Sequence, residues 1–215
     1  MKTLWICGDS FATPDPEYGT MWVDLLGQSL GTDWRIVNHS SVAASNLLIS
    51  IQVDAALRAK SDYVIVLGTA VTRDHVSIKH TTGTLLERFQ AKDLVAYSIF
   101  RPHRSALTVA EQQQVKSYHD SFFDLDLAIY RDQCIITNML DRLVGSGIPF
   151  LFDQGGFEHP GFGGTQTYFA DYNQYRSAIN LWDLGTTHEE RPYYHITNTV
   201  AHQRIAEYYS NAIKQ

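Results

Sequence analysis

Short, nearly unbroken apolar runs alternate along this chain with stretches in which apolar residues return every three or four positions. The runs are Thr3–Cys7, Arg35–Asn38, Tyr63–Leu67 and Ile148–Phe152. "DYVIVLG" and "IPFLFD" lack the polar alternation of a half-exposed strand, so these strands are expected to be covered on both faces. Helical spacing occupies Met21–Leu30, Ser45–Leu57, Ser121–Val144 and Thr199–Ile213. In the second of these, Leu48, Ile51 and Ala55, with Leu47 beside them, share a face. In the third, apolar residues at 122, 125, 129, 136, 140 and 143 form a stripe, which Gly145 and Gly147 end. Strand and helix patterns in alternation predict an α/β fold: a parallel sheet sandwiched between helices in three layers, α/β/α.

The pattern lapses twice. Residues 73–119 are polar and mixed, an irregular insertion until Thr108 and Glu111 offer a capping box for a helix. Residues 155–167, "GGFEHPGFGGTQT", read as a glycine-rich loop; a loop of this length inside a compact domain is usually functional. It lacks the Gly-Lys-Ser/Thr ending of a phosphate-binding loop. With 215 residues, 44% of them hydrophobic, residues 1–215 are expected to form a single domain.

Charge and cysteines narrow the function. Seventeen Lys and Arg against 23 Asp and Glu leave a formal charge of −6 with no basic run, so no nucleic-acid partner is expected. No apolar segment has the length of a bilayer span and no signal peptide is evident, so a cytoplasmic or virion-associated protein without a membrane partner is expected. Cys7 and Cys134 sit in apolar company and read as buried thiols. The nine histidines show no ligand spacing, so neither a metal nor another cofactor is expected.

In open parallel sheets the ligand sits beyond the carboxyl ends of the strands. The candidate site residues are therefore Asp9-Ser10, Asn38 to Asn46, Gly68 to Asp74 and Asp153 to Gly156. "GDSFA" closes the first strand, "NHSSVAASN" follows the second, "VLGTAVTRD" the third, and "HITNTVAHQRIAEYY" closes the chain.

This ordered set resembles the SGNH/GDSL hydrolase family of esterases and lipases. The resemblance implies a flavodoxin-like α/β/α sheet, the SGNH hydrolase fold. It makes Ser10 the nucleophile and its backbone N–H one oxyanion donor. The second block, usually Asn-x-x-x-x-Gly-x-Ser, has Ala43 at the glycine; the backbone N–H that the glycine contributes is retained. The third block is usually Gly-x-Asn-Asp, and here Gly68-Thr69-Ala70-Val71 lacks the asparagine amide. Thr69, Thr72 or Arg73 are the substitute donors. In the last block, usually Asp-x-x-His, His195 is the implied base and His202 its competitor, as a base or as a packing or capping residue. Pro192 stands where the aspartate is usual, so the acid is sought in Glu190, Glu189 or Asp183, or a Ser-His dyad operates with a backbone carbonyl. The block "GTAVTRD" resembles that of degenerate, virus-encoded members.

The implied activity is hydrolysis of small acyl esters, such as O-acetyl groups on an acylated carbohydrate. A serine hydroxyl barely attacks an ester unless an imidazole takes its proton, and the tetrahedral oxyanion needs donors already in place. Two other readings stay open: a binding or assembly module that keeps the fold with weakened chemistry, and a flavodoxin-like nucleotide binder. Asp9 is expected to bond loop amides, Ser45 and Asn46 to cap a helix, and Arg73 either to form an ion pair or to serve the site.

Overall fold

The computed structural model describes residues 1–14, 20–71, 73–77, 88, 94–98, 108–153, 170–175, 177, 179, 181, 196 and 199–215. Four parallel strands, β1 (Lys2–Cys7), β2 (Trp34–Asn38), β3 (Tyr63–Leu67) and β6 (Phe150–Asp153), form a sheet in the order β2-β1-β3-β6. Register is continuous across it: Leu4 pairs with Ile36 on one side and Tyr63 on the other, and Val64 pairs with Phe150.

Successive residues of the two central strands feed opposite layers, as the two-residue period of a strand demands. Trp5, Cys7, Val64 and Val66 pack under α2 (Asn46–Arg58) and α4 (Leu125–Ser146). Leu4, Ile6, Ile65 and Leu67 pack under α1 (Trp22–Leu30) and α5 (Thr199–Lys214). The result is the three-layer α/β/α arrangement that the alternating pattern predicts. Burial pushes the Cys7 thiol well above its ordinary range, so it remains a neutral core residue.

Two elements differ from the sequence expectation. The stripe expected from 122 onward is broken: α3 (Val109–Phe122) ends there, Phe123 is extended, and Asp124 starts α4 by accepting the Leu127 N–H at 2.8 Å. An acidic N-cap outcompetes continuation because it satisfies a donor that a new helix leaves open. Phe122 and Leu125 consequently stand 73% and 50% exposed, outside the core, and Cys134 is exposed as well. Within the insertion, β4 (Arg73–Ser77) and β5 (Leu94–Ser98) pair as an antiparallel two-stranded sheet. The capping box that starts α3 is present, with Thr108 Oγ1 accepting the Glu111 N–H and Glu111 accepting the Thr108 N–H. Among the described residues no helix is long and apolar enough to cross a membrane, and no group of three metal-ligating side chains occurs.

Candidate active site

β1 ends in Gly8-Asp9-Ser10, and the glycine is there for want of space. A Cβ on Gly8 would meet Leu67 Cβ of β3 at 2.8 Å, closer than real side chains approach. The peptide groups flanking Gly8 are then gripped from α2. Gln52, buried in that helix, accepts the Gly8 N–H through Oε1 at 2.7 Å and donates Nε2 to the Gly8 carbonyl at 3.3 Å. The same carbonyl accepts the Ser41 N–H, which ties the loop after β2 to the end of β1.

Asp9 is fully buried and folds the turn around Ser10. Its Oδ1 accepts the Phe11 N–H at 3.0 Å, and its carbonyl accepts the Ala12 and Thr13 N–H groups and the Thr13 hydroxyl. Its Oδ2 accepts the Thr69 hydroxyl at 2.8 Å and the Arg73 Nη1 at 2.5 Å. A buried carboxylate persists when hydrogen bonds and a cation compensate its lost hydration, and Asp9 has both. Arg73 is thus one half of an ion pair beneath the site. With its single hydrogen given to Asp9, the Thr69 hydroxyl has none to offer a substrate.

Ser10 itself is half-buried at the carboxyl edge of the sheet. Among the described residues nothing hydrogen-bonds the N–H of Ser10 or of Ala43. Ala43 holds φ at +59°, the left-handed region that glycine enters without penalty. The backbone at this position therefore holds a conformation open to glycine and carries a Cβ at some cost in strain.

Asn46 does more than begin a helix. Ser45 is the N-cap of α2 and accepts the Leu48 N–H. Asn46, buried, accepts the Thr69 N–H through Oδ1 and donates Nδ2 to the Thr69 carbonyl, both at 2.9 Å. The other Nδ2 hydrogen goes to Asp132 of α4 at 2.7 Å. Two side-chain amides of α2, Gln52 and Asn46, therefore clasp the ends of β1 and β3. Gln52 and Asp132 are not among the sequence candidates, although each is a polar residue on a largely apolar helix face, and that interruption is a readable signal.

His202 is buried in α5, and its Nδ1 accepts the N–H of Trp22 at 3.1 Å. Trp22 opens α1, so the imidazole satisfies one of the donors that a helix start leaves without a partner. Burial lowers its pKa, partly opposed by the Ile196 backbone and by Asp24. His39 stacks on Trp5 with ring centroids 4.4 Å apart, and burial lowers its pKa as well. His195, Glu190, Glu189, Asp183, Thr72 and the 155–167 loop lie outside the described residues.

The fold has clear counterparts among solved structures. The psychrotrophic esterase EstA from Pseudoalteromonas sp. aligns with a TM-score of 0.56 at 13% identity, over 100% of this chain and 97% of its own. TesA aligns with a TM-score of 0.52 at 16% identity, over 99% of this chain and 98% of its own. No protein-family model and no curated protein matches the sequence. At such identities the likeness establishes a shared fold alone, the three-layer α/β/α sheet of the SGNH hydrolase fold, over almost the whole of each chain.

Proposed function

We propose that this protein is a serine ester hydrolase acting on small acyl esters, with O-acetyl groups on carbohydrate as the substrate class. The observation that carries this reading is the Ser10 turn. A hydroxyl stands at the carboxyl edge of β1, and the N–H groups of Ser10 and Ala43 are unclaimed among the described residues. Its fold, shared with known esterases, is consistent with that chemistry.

In this mechanism Ser10 Oγ attacks the ester carbonyl carbon while His195 takes its proton. Glu190 or Asp183 orients the imidazole, and His202 is left to its capping bond with Trp22. The carbonyl oxygen, now an oxyanion, accepts hydrogen bonds from the Ser10 and Ala43 N–H groups. Collapse of the tetrahedral intermediate breaks the bond to the alcohol oxygen, which leaves with the proton from His195. Water then attacks the acyl-serine by the same route and releases the acid. Arg73 and Thr69 act in this scheme through Asp9, holding the turn.

The test is hydrolysis of p-nitrophenyl acetate. Activity in the parent and its loss by three or more orders of magnitude in Ser10→Ala is the expected result; equal rates would remove the reading. A second reading, a binding module with weakened chemistry, draws on the third block, where Ala70 stands at the position usually held by asparagine and the substitute Thr69 hydroxyl is spent on Asp9. It predicts that a phosphonate ester leaves Ser10 unmodified while an acylated carbohydrate still binds.

A further inference from the structure

On the core-facing stripe of α4, Ala128, Ile136, Met139, Leu140 and Leu143 are all buried, and so, at 1% exposure, is Asp132. A carboxylate in that row costs hydration that an apolar residue would not lose, so stability alone does not select it. Its bonds run toward the site. Asp132 Oδ2 accepts one Asn46 Nδ2 hydrogen at 2.7 Å, while Arg131 Nε stands 3.2 Å from Oδ1. Asn46 pairs in both directions with the Thr69 backbone, and the Thr69 hydroxyl donates to Asp9, the residue that folds the turn around Ser10. Each member offers what the next one needs. The chain is therefore continuous from a helix on the outer layer to the nucleophile's neighbour.

We propose that Asp132 is a positioning residue for the esterase chemistry of Ser10, acting through Asn46, Thr69 and Asp9. The inference rests on the hydrolase reading above. Asp132 makes no claim on substrate. It holds the second Asn46 N–H, so that the Asn46 amide keeps the Thr69 segment, and through it the Asp9 carboxylate, in the register that sets the Ser10 turn. Loss of the acceptor leaves a buried N–H without a partner and frees the amide to move.

Variants assayed with p-nitrophenyl acetate well below their melting temperatures test the proposal. Asp132→Leu, similar in size and without an acceptor, is expected to lower kcat at least tenfold with KM within twofold. Asp132→Asn keeps an acceptor oxygen and is expected to retain kcat within threefold. A folded Asp132→Leu with parental kcat overturns the proposal, as does an Asp132→Asn that loses as much as the leucine variant. Should Asp132→Leu not fold, Asn46→Asp decides: it sets two carboxylates face to face and is expected to lower kcat at least tenfold. Adding Asp132→Asn should then recover threefold or more, and no recovery overturns the proposal. A parent with no Ser10-dependent hydrolysis removes the hydrolase reading and this inference with it, whereas an active parent indifferent to position 132 removes this inference alone.

Discussion

Between Gly8 and Thr13 the backbone is held by side chains from far along the sequence: Gln52 from α2, and Thr69 and Arg73 from beyond β3 by way of Asp9. α3 is held differently. Its start rests on its own Thr108 and Glu111, and His119 is its one buried residue among those described. Val109, Tyr118 and Phe122 all face solvent there. The Ser10 turn is thus fixed by tertiary polar contacts that form once the sheet and α2 have met, while α3 depends on signals within a few residues. The hydrolase role proposed for Ser10 asks for the first kind of restraint, because no local capping rule aims a side chain that well.

If that contrast is real, a change in the clasp should cost global stability and a change in the cap should not. Gln52→Leu is the severest case. It removes both bonds to Gly8 and leaves a buried N–H without a partner, at a cost of about 3 kcal/mol. A urea titration should show the whole transition moving to lower denaturant; an unchanged midpoint would mean that the clasp is incidental. Thr108→Ala should cost about 1 kcal/mol and affect α3 alone. Hydrogen exchange would rise across residues 109–122 while the global midpoint held. The cap should also weaken in acid, since hydrogen bonds from Thr108 hold the Glu111 carboxyl below its ordinary 4.5 and its contribution fades as pH falls through that lowered value.

This difference in restraint also explains what could be read beforehand. The four parallel strands, α1, α2 and α5 follow from apolar period alone, because the core rewards that period directly. The Ser45 and Thr108 caps and the Gly147 stop were legible because each acts on its own neighbours, whereas Gly145, expected to share in ending the helix, lies inside α4. The antiparallel pair Arg73–Ser77 with Leu94–Ser98 was not, since its two strands are separated by a long stretch of chain and the partner of the apolar run Leu94–Tyr97 is itself largely polar. In the candidate site, the positions of Ser10 and Ala43 after a strand could be read from the pattern. The partners Gln52–Gly8 and Asp132–Asn46 lie 44 and 86 residues apart, and a single sequence gives a polar residue on an apolar face without saying whom it meets.

His202 extends the comparison to pH. Its pKa lies below the ordinary 6.5, chiefly through burial, so the folded chain binds its proton less readily than the unfolded one. The contribution is therefore complete above about 6.5 and is lost as pH falls below that value toward the lowered folded-state pKa. Protonation at Nδ1 would also break the bond from Trp22. The melting temperature of the parent should fall between pH 7 and pH 5. In His202→Gln the fall should be shallower, with His39, also shifted downward by burial, supplying the remainder. An identical slope in parent and variant would show that the buried imidazole is not linked to folding in this way.

The smallest effects come from two residues in the left-handed region, Ala43 in the loop after β2 and Lys60 after α2. Lys60 closes its helix with the Lys60 N–H on Leu57 and the Ser61 N–H on Ala56, a turn for which glycine is the usual choice. Relief of the Cβ strain, less the freedom that glycine adds to the unfolded chain, should make Ala43→Gly and Lys60→Gly each more stable by about 0.5–1 kcal/mol. The gains should add, because the sites share no partner. What separates them is activity. Lys60→Gly should leave ester hydrolysis unchanged, and Ala43→Gly, which keeps the N–H and the backbone angle, should hold kcat within threefold. A substitution of Ala43 by valine, whose branched Cβ resists φ near +59°, should instead pull that N–H out of line and lower kcat while KM stays put. If valine is as active as alanine, the Ala43 N–H is not an oxyanion donor, and the second donor must come from elsewhere.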